Sequence, residues 1–374
     1  MKIVIECQRL FRKKKHGMEI VAAEIIKALQ KSSTTHELII AVKKDEQNCT
    51  ILNGGAVQIK ELDSRPYPIW EQIMLPRFTK RIKADLLHCT ANTAPLFGRT
   101  SLIVTIHDVI YMEDVSFGGS AYQNFGNLYR KWIVPKVAKK AKNIITVSAF
   151  EKNEIVRILK IEPSKITVIH NGVNPAFTLI NDTTLLEKVK NKYALPLRFL
   201  LHIGNTAPRK NTKGVLIAYN KYLQNNQKAL PLVISGCEQD FILSILKKMD
   251  KADLFKHIIV LNYLPFDDLP VLYNLAEVFL YPSFREGFGM PVAEAMACGT
   301  PVITANNSSL VEVANGAAVL VDAANTDQIA QAITNLVNDK KMRNELIEKG
   351  LENAKRYTWE KAAQKTLEIY NSAL

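Results

Sequence analysis

The sequence predicts an α/β protein made of two doubly wound parallel-sheet domains, and three observations carry that prediction. Short apolar runs rich in β-branched residues alternate with helical patterns along all 374 residues, the rhythm of βαβ units and hence of parallel sheet. The runs fall into two series separated by a break, and the chain exceeds the roughly 100 to 200 residues of one ordinary domain. Hydrophobic residues at 47% and charged residues at 23% are ordinary globular values, which argues against disorder and fibres.

Taken in order, the first series reads KIVIE, ELIIAVK, LLHCT, SLIVTIHD, NIITVS and ITVIHNG; the second reads RFLLHIG, PLVISG, HIIVLNY, VFLYPS, TPVITA and AAVLVD. Between them HNGVNPAFTLINDTTLLEKVKNKYALP, with its Asn-Gly pair, prolines and polar residues, interrupts the strand-helix rhythm. The expected domains are therefore 1–172 and 173–356. The last segment, 357–374, is an amphipathic helix expected to cross back onto the first domain. Ligands of such sheets sit outside the carboxyl ends of the strands, so the two sheets are expected to face one another across a cleft.

MKIVIE enters an apolar strand directly, without the features of a secretory signal, and no apolar stretch reaches membrane-spanning length. Cys7, Cys49, Cys89, Cys237 and Cys298 are scattered, odd in number and without CxxC pairing, as expected of reduced cytoplasmic thiols. The formal net charge is +13. Basic residues gather at 11–16, 76–83, 129–142 and 208–211, three of the four clusters in the first half. No nucleic-acid fold signature or interleaved aromatic comb accompanies them, so nucleic acid is not an expected partner. An anionic membrane surface or a phosphorylated acceptor fits better; a solvated basic face fits equally.

The chemistry concentrates in YPSFREGFGMPVAEAMACGTPVI, residues 281 to 303. Pro291 reads as the first helical residue, and the amides of Gly287, Phe288, Gly289 and Met290 then face a ligand at a helix start, where anions bind. Gly287 and Gly289 let a diphosphate approach closely. Carboxylates around an anion site suit hydroxyls rather than phosphate, so Glu286 and Glu294 read as acceptors for ribose or hexose hydroxyls. The same pattern also fits a plain α/β turn with a Glu placed for the helix dipole. In HIGNTAPRKN, Gly204 ends a strand, and Arg209 and Lys210 follow as two cations for a diphosphate. His107 is expected at a strand's carboxyl end, followed by Asp108. Gly17 supplies a second flexible turn, after the basic loop 11–16. There is no DxD pair and no cluster with metal-site spacing, so the diphosphate is expected to be neutralised by Arg209, Lys210 and amide dipoles, with no metal and no cofactor. No Ser/His/Asp elbow or nucleophilic Cys motif is present, which argues against acyl transfer.

These segments resemble glycosyltransferase family 4, the retaining GT-B enzymes with two Rossmann-like domains. The paired Glu286 and Glu294, EAMACGTPVI, PRKN, IHD, HNGVNP, LYNLAEVFLYPS and YTWEKAA carry the resemblance over essentially the whole chain. It implies that Arg209 and Lys210 bind the diphosphate of a nucleoside diphosphate sugar, and that Glu294 binds the ribose. It further implies that Glu286 binds the donor sugar near the reacting carbon, His107 contacts the sugar, and the amides of Gly17 and 287–290 complete the cradle. Tyr263 and Leu264 fall on the family's base-binding loop. Members usually carry Gly where this chain has Asn262, and a richer glycine pattern near Gly17. The implied reaction is metal-independent hexosyl transfer with retention, GDP-mannose being the first expected donor. The implied acceptor is a glycan or a lipid-linked molecule of cell-surface polysaccharide synthesis, met in the cytoplasm or at the inner face of the membrane. A sugar-nucleotide 2-epimerase and a catalytically silent sugar-nucleotide-binding partner share the architecture and are the alternatives.

Overall fold

A computed structural model describes residues 1–8, 10, 17–43, 57–63, 65–113, 121–262 and 264–373. FRKKKH at 11–16, Cys49 and Tyr263 lie outside the described residues. The chain divides into two compact units, Met1–Gly172 with Thr358–Leu374, and Val173–Tyr357.

The first unit holds a seven-stranded, wholly parallel sheet of β1 (Lys2–Glu6), β2 (Glu37–Lys43), β3 (Val57–Leu62), β4 (Leu86–Cys89), β5 (Ser101–Thr105), β6 (Asn143–Thr146) and β7 (Ile166–Val168), in the order β3-β2-β1-β4-β5-β6-β7. The central strands are continuous apolar runs because helices cover both faces of a parallel sheet. Val4, Leu87, Val104 and Ile144 pack in one cluster with Trp70, Phe78, Ile133 and Val137 from the helices. β3 escapes the sequence reading: VQIKEL alternates, and Gln58, Lys60 and Glu61 are exposed. At the sheet edge only one neighbour and one apolar face are needed, so a weak apolar signal suffices.

The helix Trp359–Ser372 belongs to this unit. Thr358 caps it by accepting from Lys361 N at 3.2 Å. Tyr370 near its end meets His88 Nδ1 at 2.7 Å, while His88 Nε2 meets Thr105 Oγ1 at 2.8 Å. Burial pushes the His88 pKa down to about 3, with nearby His107 acting in the same direction, so the ring is neutral and these bonds persist across physiological pH. Gly172 lets the helix start approach: a Cβ there would lie 2.3 Å from Trp359 N and 2.7 Å from Thr358 C, both backbone atoms. Gly172→Ala is accordingly expected to lose about 1–3 kcal/mol of stability, the usual cost of overpacking. Chemical denaturation checks this, and an unchanged midpoint contradicts it.

The second unit holds a six-stranded parallel sheet of β8 (Leu200–Ile203), β9 (Leu232–Ser235), β10 (Ile258–Leu261), β11 (Val278–Tyr281), β12 (Val302–Ala305) and β13 (Val319–Val321), in the order β10-β9-β8-β11-β12-β13. All six coincide with apolar runs of the second series. The strand order reverses direction between β8 and β11, whose register pairs Leu200 with Val278 and His202 with Leu280. Such a switch point opens a crevice at the carboxyl ends of its two strands, which brings the loops after β8 and β11 together.

Candidate active site

Both loops of the second unit's switch point are shaped by their sequence. β8 ends at Ile203 and is followed by Gly204, where a Cβ would lie 2.7 Å from Cys237 Sγ. The chain then turns through Pro208–Lys210 to Asn211, which sits in the left-handed region at φ 57°. The Asn211 side-chain amide donates to Pro282 O at 2.9 Å and Ala323 O at 2.7 Å. Phe284 N donates to Arg209 O at 2.8 Å. The two loops are thus tied by the Asn211 side chain and one main-chain bond before any charged side chain is considered.

After β11 the chain reaches Gly289, whose φ of 98° caps the helix Met290–Ala297. A Cβ there would also lie 2.7 Å from Leu310 Cδ2, so both conformation and space call for glycine. Met290, not Pro291, is the first helical residue, and Pro291 takes the second position. That position lacks an intrahelical N–H partner as well, so proline is accommodated without loss. Ser308 and Ser309, from the helix Ser308–Ala314, hold the turn. Ser308 Oγ accepts from Glu286 N at 3.3 Å, and Ser309 Oγ lies 2.9 Å from both Glu286 O and Phe288 O.

Arg209, Lys210 and Glu286 converge. Lys210 Nζ lies 2.8 Å from Glu286 Oε1 and 3.0 Å from Oε2, and Arg209 donates to Oε2 at 3.3 Å and to Arg285 O at 3.1 Å. Tyr281, at the end of β11, donates its hydroxyl to Glu286 Oε1 at 3.0 Å and accepts from Lys210 at 2.5 Å. The Glu286 side chain is 7% exposed, Lys210 17% and Arg209 38%. Burial pushes the Glu286 pKa up, but Lys210 and then Arg209 outweigh it and hold the carboxyl below its ordinary value. Glu286 is therefore ionised at neutral pH. Its pairing adds stability that is present above the unfolded carboxylate pKa and lost as pH falls through the lower folded one. The sequence reading assigns the cations to one ligand group and the carboxylate to another; here the three form one ion cluster, in which Glu286 is the counter-ion of both cations.

Glu294 sits on the helix Met290–Ala297, which starts after the turn that holds Glu286, and it meets a different environment. Tyr273, fully buried, donates to its Oε2 at 3.3 Å. Burial is the larger influence and raises the Glu294 pKa to about 7, against the lowering effect of the Tyr273 hydrogen bond. Two carboxylates eight residues apart therefore hold opposite protonation tendencies: Glu286 charged, Glu294 balanced near neutrality. Gly287 and Phe288 take part in interactions within the chain. Leu264, after β10, is partly buried.

His107 and Gly17 belong to the first unit. His107 is 6% exposed, its N donates to Asn92 Oδ1 at 2.8 Å, and its Nε2 lies 2.8 Å from Thr90 O. A carbonyl only accepts, so Nε2 carries the proton. Burial lowers the pKa more than the Thr90 bond and Asp108 raise it, leaving a neutral ring with Nδ1 as its acceptor. Gly17 opens the helix Gly17–Lys31 and is exposed, and a Cβ there would meet nothing within 4 Å. Packing among the described residues does not require glycine at that position.

Tyr281, Tyr273, Ser308, Ser309 and Asn211 escape the sequence reading as site-forming residues. Tyr281 carries the only forward signal, a polar-tipped aromatic at the end of an apolar strand beside the glycine turn. Among the described residues no group of three or more His, Cys, Asp and Glu side chains is gathered to hold a metal ion, and no helix is long and apolar enough to cross a membrane.

The model for "Glycosyl transferases group 1" matches residues 186–353, and that for "Glycosyltransferase Family 4" matches residues 16–177. Over 234 residues the chain is 34% identical to O-antigen chain mannosyltransferase B of Escherichia coli, covering 62% of this chain and 60% of that protein. It is 27% identical over 251 residues to the serotype-specific mannosyltransferase WbdA of Escherichia coli, covering 66% of this chain and 31% of that one. The chain thus spans less than two thirds of the length of these curated relatives. Among solved structures, HepE of Anabaena in complex with UDP-glucose superposes with a TM-score of 0.76 at 17% identity, covering 100% of both chains. A likeness at that identity carries the fold.

Proposed function

The chain belongs to the group 1 glycosyltransferases, and from that premise we propose that it transfers a hexose, with retention, from a nucleoside diphosphate sugar to a glycan or lipid-linked acceptor of cell-surface polysaccharide synthesis. Mannose from GDP-mannose is the first reading of the donor, supported by two relatives that are named mannosyltransferases.

The observation that carries the proposal is the ion cluster of Arg209, Lys210 and the buried Glu286 at the switch point of the second sheet. Arg209 and Lys210 bind the diphosphate and stabilise the charge that grows on it as the glycosidic bond breaks. Glu286 turns to the donor sugar's hydroxyls, Glu294 accepts from the ribose, and His107 offers a neutral ring to a sugar hydroxyl. The leaving phosphate oxygen takes the acceptor's proton on the same face, so configuration is kept without a covalent intermediate. Two fixed cations in a partly desolvated site supply the charge stabilisation a divalent ion would otherwise provide. Activity and donor binding are expected to be unchanged in EDTA. A requirement restored by added magnesium or manganese contradicts the reading.

A thermal-shift comparison of GDP-mannose, UDP-glucose and their free nucleoside diphosphates in EDTA tests donor recognition. A ligand at 100 times its Kd stabilises by about 2.7 kcal/mol; no shift with any of them contradicts it. Glu294 adds a proton signature. With its ligand-free pKa near 7, ribose hydroxyls donating to the carboxylate favour the ionised form, so binding at pH 7 should release about half a proton, falling to none by about pH 9. Calorimetry in buffers of different ionisation enthalpy reads this. Proton uptake, or release unchanged in Glu294→Gln, contradicts the assignment.

A further inference from the structure

We propose that the first unit docks on an anionic lipid bilayer through a defined face, made by the helix Ala121–Lys140 and the helical run 67–81. On the helix Ala121–Lys140, Phe125, Leu128 and Trp132 recur at i, i+3 and i+7 and so share one face. They are 57%, 64% and 56% exposed, while Ile133, Val134, Val137 and Ala138 are buried on the opposite side. Three large apolar side chains in a row toward water have no folding role. The segment after Trp132 carries charge instead, with Lys136, Lys139, Lys140 and Lys142; Arg130 and Lys131 precede it, and residues 125–142 contain no acidic residue. Lys136 Nζ lies 3.5 Å from the centre of the Trp132 ring, joining the two halves.

The run 67–81 repeats this polarity beside it. Ile69 and Ile73 are 44% and 42% exposed, and Arg77, Lys80 and Arg81 follow, all exposed. Two contacts fix how the helices lie. Buried Glu71 accepts from Tyr129 Oη at 2.5 Å and from Tyr67 Oη at 2.7 Å, and Gln72 donates to Tyr129 Oη at 3.0 Å. Further along, Lys140 lines one small cavity with Pro76, Thr79 and Phe97, the last 77% exposed. Residue 71 lies beside 129 and residues 76–79 beside 140, so the helices run in the same direction, apolar half beside apolar half and basic half beside basic half.

That division selects the occupant. An acidic protein or a nucleic acid would use the cations and leave five aliphatic and aromatic side chains wet. A bilayer uses both, since apolar side chains enter the headgroup boundary while Lys and Arg stems reach the anionic phosphates. The inference rests on the proposed acceptor only for its purpose, a lipid-linked molecule met where it lies; the binding itself needs neither donor nor acceptor.

The test uses Trp132 as the probe. The chain's other tryptophans, Trp70 and Trp359, are 0% and 4% exposed. With vesicles of phosphatidylglycerol and phosphatidylethanolamine, emission should shift to the blue and be quenched by brominated acyl chains, and Trp132→Phe should abolish both changes. Phosphatidylcholine vesicles should bind at least tenfold less well. Lys136→Gln and Lys139→Gln should each weaken binding about fivefold, about 1 kcal/mol per charge near the surface. Phe125→Ser with Leu128→Ser should remove the quenching while leaving the donor-induced thermal shift intact, which separates failure of docking from failure of the donor site. The proposal is overturned by an unquenched Trp132 with anionic vesicles, by equal binding to neutral ones, or by a concentration-dependent dimer that shifts Trp132 emission without lipid.

Discussion

Lys210→Ala is expected to lower kcat/KM for sugar transfer by about 10²–10³-fold, the loss that follows removal of one preorganised donor to a developing oxyanion. Its ammonium group lies within 3.0 Å of both Glu286 oxygens and 2.5 Å from the Tyr281 hydroxyl, so its position is set before a ligand arrives. Lys210 is also the less exposed of the two cations, and a charge partly withdrawn from water acts more strongly on a neighbouring phosphate than one in bulk solvent. Arg209→Ala should cost less, because more than a third of its side chain faces water and screening weakens it. Steady-state kinetics with a thermal unfolding control separates lost catalysis from lost folding. Near-normal transfer by a folded Lys210→Ala protein contradicts the diphosphate role.

Glu286→Gln is expected to lower kcat by about 10²-fold or more while leaving nucleoside diphosphate affinity within about threefold of wild type, or tighter. The asymmetry follows from the ion cluster. In the free protein Glu286 neutralises Arg209 and Lys210, and a diphosphate must compete with it for those cations. Gln is nearly isosteric and can still accept from Tyr281, but it no longer competes as a charge, so the diphosphate loses nothing. The sugar end loses an ionised acceptor for its hydroxyls, where a charge-assisted hydrogen bond is about twice as strong as a neutral one. Turnover and calorimetric affinity, measured on the same preparation, check the split. Equal loss in both places Glu286 on the phosphate and contradicts the sugar-side assignment.

Twelve of the thirteen strands stand where apolar, β-branched runs mark them in the sequence. The exception, β3, is an edge strand with exposed Gln58, Lys60 and Glu61, where the physical demand for an apolar run is absent. Gly289 was legible because a left-handed turn before a helix leaves few alternatives. The helix start was misread by one residue because the first two positions tolerate proline alike.

The convergence of Arg209, Lys210 and Glu286 was legible only as proximity to a common ligand. Their direct pairing depends on two loops 76 residues apart in Lys210 and Glu286, tied by Asn211 and by the Phe284–Arg209 main-chain bond. No local pattern encodes such ties. Opposite protonation of Glu286 and Glu294 likewise depends on which neighbours each meets: two cations for one, the Tyr273 hydroxyl and apolar surroundings for the other. The docking face was visible as a basic cluster at 129–142, but its apolar half emerged only with the exposure of Phe125, Leu128 and Trp132.

The most direct measurement is the structure of the complex with GDP-mannose, determined in the presence of EDTA. The account predicts diphosphate oxygens within hydrogen-bonding distance of Arg209 and Lys210, with Glu286 released from both cations and turned to the hexose. A diphosphate bound away from these two side chains, or Glu286 still paired with them beside the bound donor, would contradict it.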